Sequence, residues 1–117
     1  MWRPKKGSDG GSIQPLATVA NVRWSHEAID DLHASGAYFE RTSPQYARSI
    51  VARLYSAPEA LAEHPHLGRS LPETEIEHVR ELIRDGYRIV YLVSGDEVEV
   101  LAVLHGRQDL RQRLRRE

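Results

Sequence analysis

Cysteine is absent from this sequence of 117 residues, and aromatic side chains make up only 7% of it. Without cysteine, disulfides and thiolate-bound metals are excluded, and the composition fits a reducing compartment. No apolar run approaches the roughly 18 residues that a membrane-spanning helix needs. We therefore predict a cytoplasmic protein that does not span a membrane.

The motifs of several common enzyme classes are also missing. The glycine pair at 10–11 is not placed between a strand and a helix, as a phosphate-binding loop would be. His64 and His66 flank Pro65, but no further histidine or carboxylate follows at metal-ligand spacing. We therefore predict no metal site and no cofactor.

The residues that are present indicate one globular domain with flexible ends. Hydrophobic residues make up 40% of the chain and charged residues 28%, and this balance is typical of a folded protein. The segment 1–16 is rich in glycine and serine, which predicts a flexible leader before a domain at 17–110. Five of the last eleven residues are arginine, although the formal net charge is only -1. The segment 111–117 is therefore either a frayed basic tail or part of a basic face.

The first half of the domain has a helical pattern of apolar residues. Val19–Trp24 is rich in valine and tryptophan, which predicts a first strand. Apolar residues then recur at helical spacing over 26–41 and again over 44–63, which predicts a hairpin of two helices. Pro58 predicts a kink or restart within the second helix. A loop is expected over 65–77.

After this loop the apolar period changes to two. The pattern predicts strands at His78–Ile83, Tyr87–Val93 and Val98–His105. Asp85-Gly86 is a strong signal for a tight hairpin between the first two of them. The predicted fold class is therefore α+β, with an N-terminal strand, a helical hairpin and an antiparallel three-strand meander whose sheet carries the helices on one face.

Basic and aromatic residues converge at one edge of this predicted meander. The start of its middle strand lies beside the end of the strand before it and the end of the strand after it. The candidate target- or phosphate-binding residues are Arg80, Arg84, Tyr87, Arg88 and Arg107, and His105 lies beside them. Forked guanidinium groups suit phosphate, and histidine can move a proton near neutral pH.

Each of these residues also has an ordinary structural explanation. Arg84 flanks a turn and can simply be solvated, and Arg80 can pair with Glu99 across the sheet. His105 can be a packed ring at a strand end. Their convergence is therefore more informative than any one of them.

Four segments in order resemble the RelE/ParE family of small toxins, over residues 22–109. They are VRWS at 22–25, HP and LG at 64–68, REL at 80–82 followed by GYRIVY at 86–91, and VLHGRQD at 103–109. The resemblance implies the RelE/ParE-like fold and the toxin component of a type II toxin–antitoxin system, of the kind associated with plasmid stabilization. It also implies a cognate antitoxin that forms a hetero-oligomer with the toxin.

The apolar runs 89–93 and 98–104 predict a sheet face that is exposed until the antitoxin covers it. The family includes inhibitors of DNA gyrase, and it includes metal-independent endonucleases that cut mRNA on the ribosome. A third alternative is an inactive family member.

The nuclease pattern of the family matches this chain only in part. The resemblance implies that Arg88 and Arg107 occupy the positions of two phosphate-contacting arginines, and His105 is the candidate for moving the proton. Glu81 stands where a lysine is expected, and no tyrosine follows Tyr91. These departures favour the gyrase-type toxin, with ribosome-dependent mRNA cleavage by Arg88, Arg107 and His105 as the alternative.

Arg88 and Arg107 are predicted to lie at one end of the sheet, close enough for one phosphate-sized group to bridge them. Replacing either by alanine is expected to reduce toxicity and to leave folding nearly intact, since exposed charges change stability by less than about 0.5 kcal/mol.

Overall fold

One sheet and a pair of helices make up the part of the chain that the computed structural model describes, which is residues 19–74, 76, 78–105, 108 and 111. In chain order the elements are strand β1 (Asn21–Trp24), helices α1 (His26–Glu40) and α2 (Pro44–Ser56), a 3-10 helix (Ala57–Ala62), and strands β2 (Arg69–Ser70), β3 (Val79–Arg84), β4 (Tyr87–Ser94) and β5 (Glu97–His105). The predicted α+β fold is confirmed. The predicted leader at 1–16 and residues 112–117 lie outside the described residues. No described helix is long and apolar enough to cross a membrane.

Both helices begin where the sequence predicts, because a serine caps each of them. Ser25 Oγ accepts a hydrogen bond from the Ala28 N–H at 3.0 Å, and Ser43 Oγ accepts one from the Tyr46 N–H at 3.1 Å. Such caps satisfy backbone donors that the first helical turn leaves without partners. The two starts are therefore determined by local chemistry.

The second helix is shorter than predicted. Its α-helical part ends at Ser56, and the predicted range 44–63 continues only as the 3-10 helix. Pro58 lacks an N–H donor, and its ring clashes with the carbonyl four residues earlier. The tighter 3-10 turn avoids that clash and carries Pro58 and Leu61 into the core.

The cap of α1 should contribute more to stability than the cap of α2. Ser25 Oγ also donates to the carbonyl of Leu101 at 3.3 Å, so one hydroxyl joins α1 to β5. We expect Ser25→Ala to lower the free energy of unfolding by about 1–2 kcal/mol, and the exposed Ser43→Ala by about 0.5–1 kcal/mol. Chemical denaturation of both variants measures the difference. Equal losses would contradict the additional role of Ser25.

The tight turns set the register of the sheet. Asp85 and Gly86 both have positive φ, at 52° and 80°, as a two-residue type I′ hairpin turn requires. The turn pairs Arg84 with Tyr87, and the following hairpin pairs Tyr87 with His105. The complete sheet order is β1-β5-β4-β3-β2, and β1 runs parallel to β5 while the other neighbours are antiparallel.

The sequence predicted a loop over 65–77, but the segment is not entirely a loop. It contains the two-residue strand β2, which pairs with β3 at the edge of the sheet. The Gly68 N–H donates to the Tyr91 hydroxyl at 2.8 Å, and Arg80 Nη1 donates to the Gly68 carbonyl at 2.7 Å. Burial raises the pKa of the Tyr91 phenol, so this hydroxyl keeps its proton. These tertiary contacts hold β2, and no apolar alternation marks it in the sequence.

Apolar side chains are buried on both faces of the sheet. The larger cluster lies between the sheet and the helices and includes Ile50, Leu54, Ile89 and Tyr91. A smaller cluster on the opposite face includes Leu71, Val79, Val90, Ala102 and Leu104. The runs 89–93 and 98–104 are therefore largely buried, contrary to the exposed face that we predicted. The large apolar side chains that are exposed in the described part lie elsewhere, at Val19, Tyr38, Tyr46, Tyr55, Leu67, Ile76 and Ile83.

Candidate functional site

Strand β4 separates the predicted site residues onto two faces of the sheet. Arg88 is paired with Leu104 and Tyr87 with His105. Paired residues share a face and successive residues alternate, so Arg88 projects opposite to Tyr87 and His105. The structure therefore brings Tyr87 and His105 together, but it does not bring Arg88 and His105 to one face. Arg107 lies outside the described residues.

Arg88 is held by a cluster of carboxylates. Its Nε donates to Glu81 Oε1 at 2.7 Å, and its Nη1 and Nη2 donate to the two carboxylate oxygens of Glu73 at 2.7 and 2.6 Å. Nη1 also donates to the backbone carbonyl of Gln108 at 2.9 Å. The other carboxylate oxygen of Glu81 accepts from Arg69 Nε at 2.7 Å. We call Arg69, Glu73, Glu81 and Arg88 the ion cluster.

Three members of the ion cluster are largely shielded from water, whereas the side chain of Arg69 is 66% exposed. The side chains of Arg88 and Glu73 are each 9% exposed, and that of Glu81 is 0% exposed. The hydrogen bonds with Glu73 and Glu81 raise the pKa of Arg88 further above its ordinary value, against the opposing effect of burial, so the guanidinium stays charged. The premise that Arg88 is an exposed charge is therefore wrong. Four of its five N–H donors already bind acceptors within the protein.

The other two arginines predicted as site residues and described in the structure, Arg80 and Arg84, have separate surroundings. Arg80 lies on the helix-facing side of β3 and donates to Gly68 as described above, while its Nε is buried without a hydrogen-bond partner. Glu99, the alternative partner considered for it, contacts Arg23 instead at 3.7 Å. Arg84 is exposed, and its Nη1 donates to the neighbouring carbonyl of Ile83 at 2.8 Å. Neither arginine joins the ion cluster.

Tyr87 and His105 lie at the mouth of a cavity between α1 and the sheet. Its volume is about 400 Å³. The residues that line it are Asp31, Ala34, Ser35, Tyr38, Tyr87, Val103, His105 and Gln108. The Tyr87 and His105 rings meet edge to face with centroids 5.6 Å apart, and Asp31 Oδ2 accepts from the Val103 N–H at 2.8 Å. We call this cavity the tyrosine–histidine pocket. Within the described part of the chain, no group of three or more histidines and carboxylates is placed to hold a metal ion.

Sequence reasoning did not identify Glu73 and Asp31 as members of these sites. Asp31 had a local signal, because it follows Ala28 at helical spacing and precedes Ser35, and both of those residues are buried. An acid on the buried face of a helix is unusual without a partner. The sequence gives no comparable indication for Glu73, because its segment has no apolar periodicity and its partner, Arg88, is 15 residues away in the chain.

Comparisons with known proteins show which family this chain is similar to. Residues 22–110 match the family model described as the ParE toxin of the type II toxin–antitoxin system parDE. The chain is 40% identical over 89 residues to putative toxin Y4kP of Sinorhizobium fredii, which covers 74% of this chain and 88% of that protein. It is 34% identical over 88 residues to toxin RelE2 of Caulobacter vibrioides, which covers 74% of this chain and 96% of that protein.

Solved structures share the fold. A structure of the chromosomal ParDE toxin–antitoxin system from P. aeruginosa matches with a TM-score of 0.64 and 21% identity, over 74% of this chain and 96% of that one. A structure of the toxin–antitoxin complex RelBE2 from Mycobacterium tuberculosis matches with a TM-score of 0.52 and 22% identity. The match covers 80% of this chain and 97% of that one. With the family match over most of the described domain, this chain belongs to the ParE toxin family and is the toxin of a type II toxin–antitoxin system.

Proposed function

We propose that this toxin acts by binding and inhibiting DNA gyrase rather than by cleaving mRNA. The observation that carries the proposal is the ion cluster. The arginine that the RelE/ParE resemblance aligns with a phosphate-contacting residue is largely buried, and two carboxylates hold it. A toxin that works through protein binding does not need this guanidinium to contact RNA.

The electrostatics of the cluster oppose a scissile phosphate at Arg88. Cleavage without a metal requires cations near the charge that develops in the transition state. A phosphate at Arg88 would also approach Glu73 and Glu81, and two like charges 4 Å apart repel by about 4 kcal/mol at an effective dielectric constant of about 20. Both oxygens of Glu81 already accept hydrogen bonds from arginines of the ion cluster, from Arg69 and from Arg88.

One observation favours mRNA cleavage as the second candidate. Tyr87 and His105 form an aromatic pair at the tyrosine–histidine pocket, on the face away from Arg88. A histidine beside a cavity can act as a general acid or base. In that case the chemistry would depend on His105, with cations supplied from residues other than Arg88.

A cognate antitoxin is the other proposed partner. Both structural neighbours named above are toxin–antitoxin systems or complexes, and the toxin role of this family is defined by such a pair. We therefore propose a hetero-oligomer of this toxin with an antitoxin encoded beside it. Both candidate targets are cytoplasmic, so we expect the toxin to act in that compartment.

The two candidate functions give different first responses when the toxin is produced without its antitoxin. We expect an SOS response and loss of supercoiling activity of purified gyrase, while protein synthesis continues at first. Translation arrest before any SOS response, with mRNA cut on purified programmed ribosomes, would establish the nuclease instead.

His105→Gln separates the candidates further. If His105 moves a proton, cleavage falls by roughly a hundredfold or more. A gyrase-binding toxin should keep most of its inhibition of supercoiling with this variant. Arg48→Gln, a change at an exposed arginine of α2 that is not among the candidate site residues, is the control in both assays.

A further inference from the structure

Gln108 contacts both faces of the sheet. Its backbone carbonyl accepts the hydrogen bond from Arg88 Nη1 at 2.9 Å, on the face of the ion cluster. Its side-chain Oε1 accepts from the His105 backbone N–H at 2.8 Å, and its own N–H donates to the His105 carbonyl at 2.9 Å. Gln108 also lines the tyrosine–histidine pocket on the opposite face. One residue just past β5 therefore joins the two candidate sites.

We infer that Arg88 is a positioning residue, whose guanidinium fixes Gln108 and thereby sets His105 and one wall of the tyrosine–histidine pocket. The guanidinium is itself immobilised by Glu73 and Glu81 through three hydrogen bonds of 2.6–2.7 Å. A planar group held at three points presents the second N–H of Nη1, which binds the Gln108 carbonyl, in a fixed direction. The inference concerns the shape of the protein and does not depend on which cellular target the toxin has.

The hydrogen bonds of Gln108 differ in their exposure to water. Because of this difference, the hydrogen bond from Arg88 is the one that positions Gln108. His105 and Gln108 are exposed, so the two hydrogen bonds between them compete with solvent. The bond from Arg88 is charge-assisted and comes from a side chain that is 9% exposed. Among the described contacts of Gln108, it is the one that solvent competes with least. Loosening Arg88 should therefore release Gln108 and disturb His105 on the other face.

Amide hydrogen exchange and NMR spectra of the full chain test this role. Glu73→Gln keeps the shape of the side chain but removes one of the two carboxylate charges that hold Arg88. We expect exchange at the His105 and Gln108 amides to become at least about tenfold faster, with the strands otherwise protected. The imidazole signals of His105 should also shift, because its ring packs against Tyr87. Arg88→Lys should act in the same way, since one ammonium group cannot reproduce the planar fork.

Two controls distinguish positioning from general stabilisation. Arg48→Lys changes an exposed arginine on α2, away from Tyr87 and the ion cluster, and should leave His105 and Gln108 unchanged. If Glu73→Gln or Arg88→Lys lowers the Tm but leaves exchange at both amides and the His105 signals as in the wild type, Arg88 only stabilises the fold and the inference is overturned.

Gln108→Ala supplies an independent variant that should fold normally, because the side chain is exposed. It keeps the backbone carbonyl for Arg88 but removes the acceptor of the His105 N–H. We expect it to shift the His105 signals about as much as Glu73→Gln does, without the loss of Tm. The double variant should shift His105 by less than the sum of the two single shifts, because Gln108→Ala has already removed one of the two hydrogen bonds through which Arg88 acts on His105. Additive shifts would place the coupling elsewhere and overturn the inference.

Discussion

Arg88→Met is expected to lower the free energy of unfolding by about 3–5 kcal/mol, because it removes the buried cation of the ion cluster. The substitution fills most of the same space but leaves the carboxylates of Glu73 and Glu81 without the guanidinium that now binds them. Moving such charges out of water is costly unless they are paired. Chemical denaturation measures the loss, and Arg84→Met, at an exposed position, should stay within about 0.5 kcal/mol of the wild type.

A rescue variant shows whether the loss comes from the buried carboxylates that Arg88 now binds. Replacing Arg88, Glu73 and Glu81 together by methionine removes these buried charges and leaves only Arg69, whose side chain is 66% exposed, and apolar replacement of buried ion pairs is often neutral or stabilising. We expect the triple variant to recover most of the stability that Arg88→Met loses. If Arg88→Met alone is as stable as the Arg84 control, the cluster is not desolvated and the electrostatic argument against phosphate binding fails with it.

Gly68→Ala is expected to cost about 2–4 kcal/mol, although it adds only one methyl group. A Cβ at Gly68 would lie in steric overlap with the backbone carbonyl oxygen of Glu81 and 2.7 Å from the Tyr91 hydroxyl. The carbonyl belongs to the paired strand β3 and cannot move without disturbing the sheet. The added methyl should therefore push β2 outwards and break the hydrogen bond between Gly68 and Tyr91.

Gly36→Ala is the matched control for this prediction. A Cβ there would lie 2.8 Å from Val51 Cγ2, which is a side-chain atom at the contact between α1 and α2. The helices can adjust more readily than a sheet carbonyl, and alanine gains about 1 kcal/mol of helix propensity over glycine. We expect a net change below about 1 kcal/mol. A Gly68→Ala variant that is no less stable than Gly36→Ala would contradict the close packing of β2.

The sequence by itself determined the elements whose causes are local. Ser25 and Ser43 predicted where the helices begin, because each hydroxyl caps backbone donors within its own first turn. Asp85 and Gly86 predicted the hairpin and its register, because both can adopt positive φ. The change of apolar period predicted three strands, each within one residue of its bounds in the structure.

Only the tertiary structure decided which of these elements meet and what their polar residues do. The parallel pairing of β1 with β5 joins residues that are 76 apart in the chain, as between Asn21 and Glu97. The sequence indicated that Arg88 binds phosphate, but in the structure Arg88 lies at the centre of the ion cluster. The reason is that the segment between β2 and β3, which has no apolar periodicity, places Glu73 over that face of the sheet. Alternation along β4 then placed Tyr87 and His105 on the opposite face. Periodicity and capping depend on residues that are close in the sequence. The partner of a charged side chain depends instead on which distant segment of the chain covers it. The ion cluster and the tyrosine–histidine pocket are therefore visible only in the packed fold.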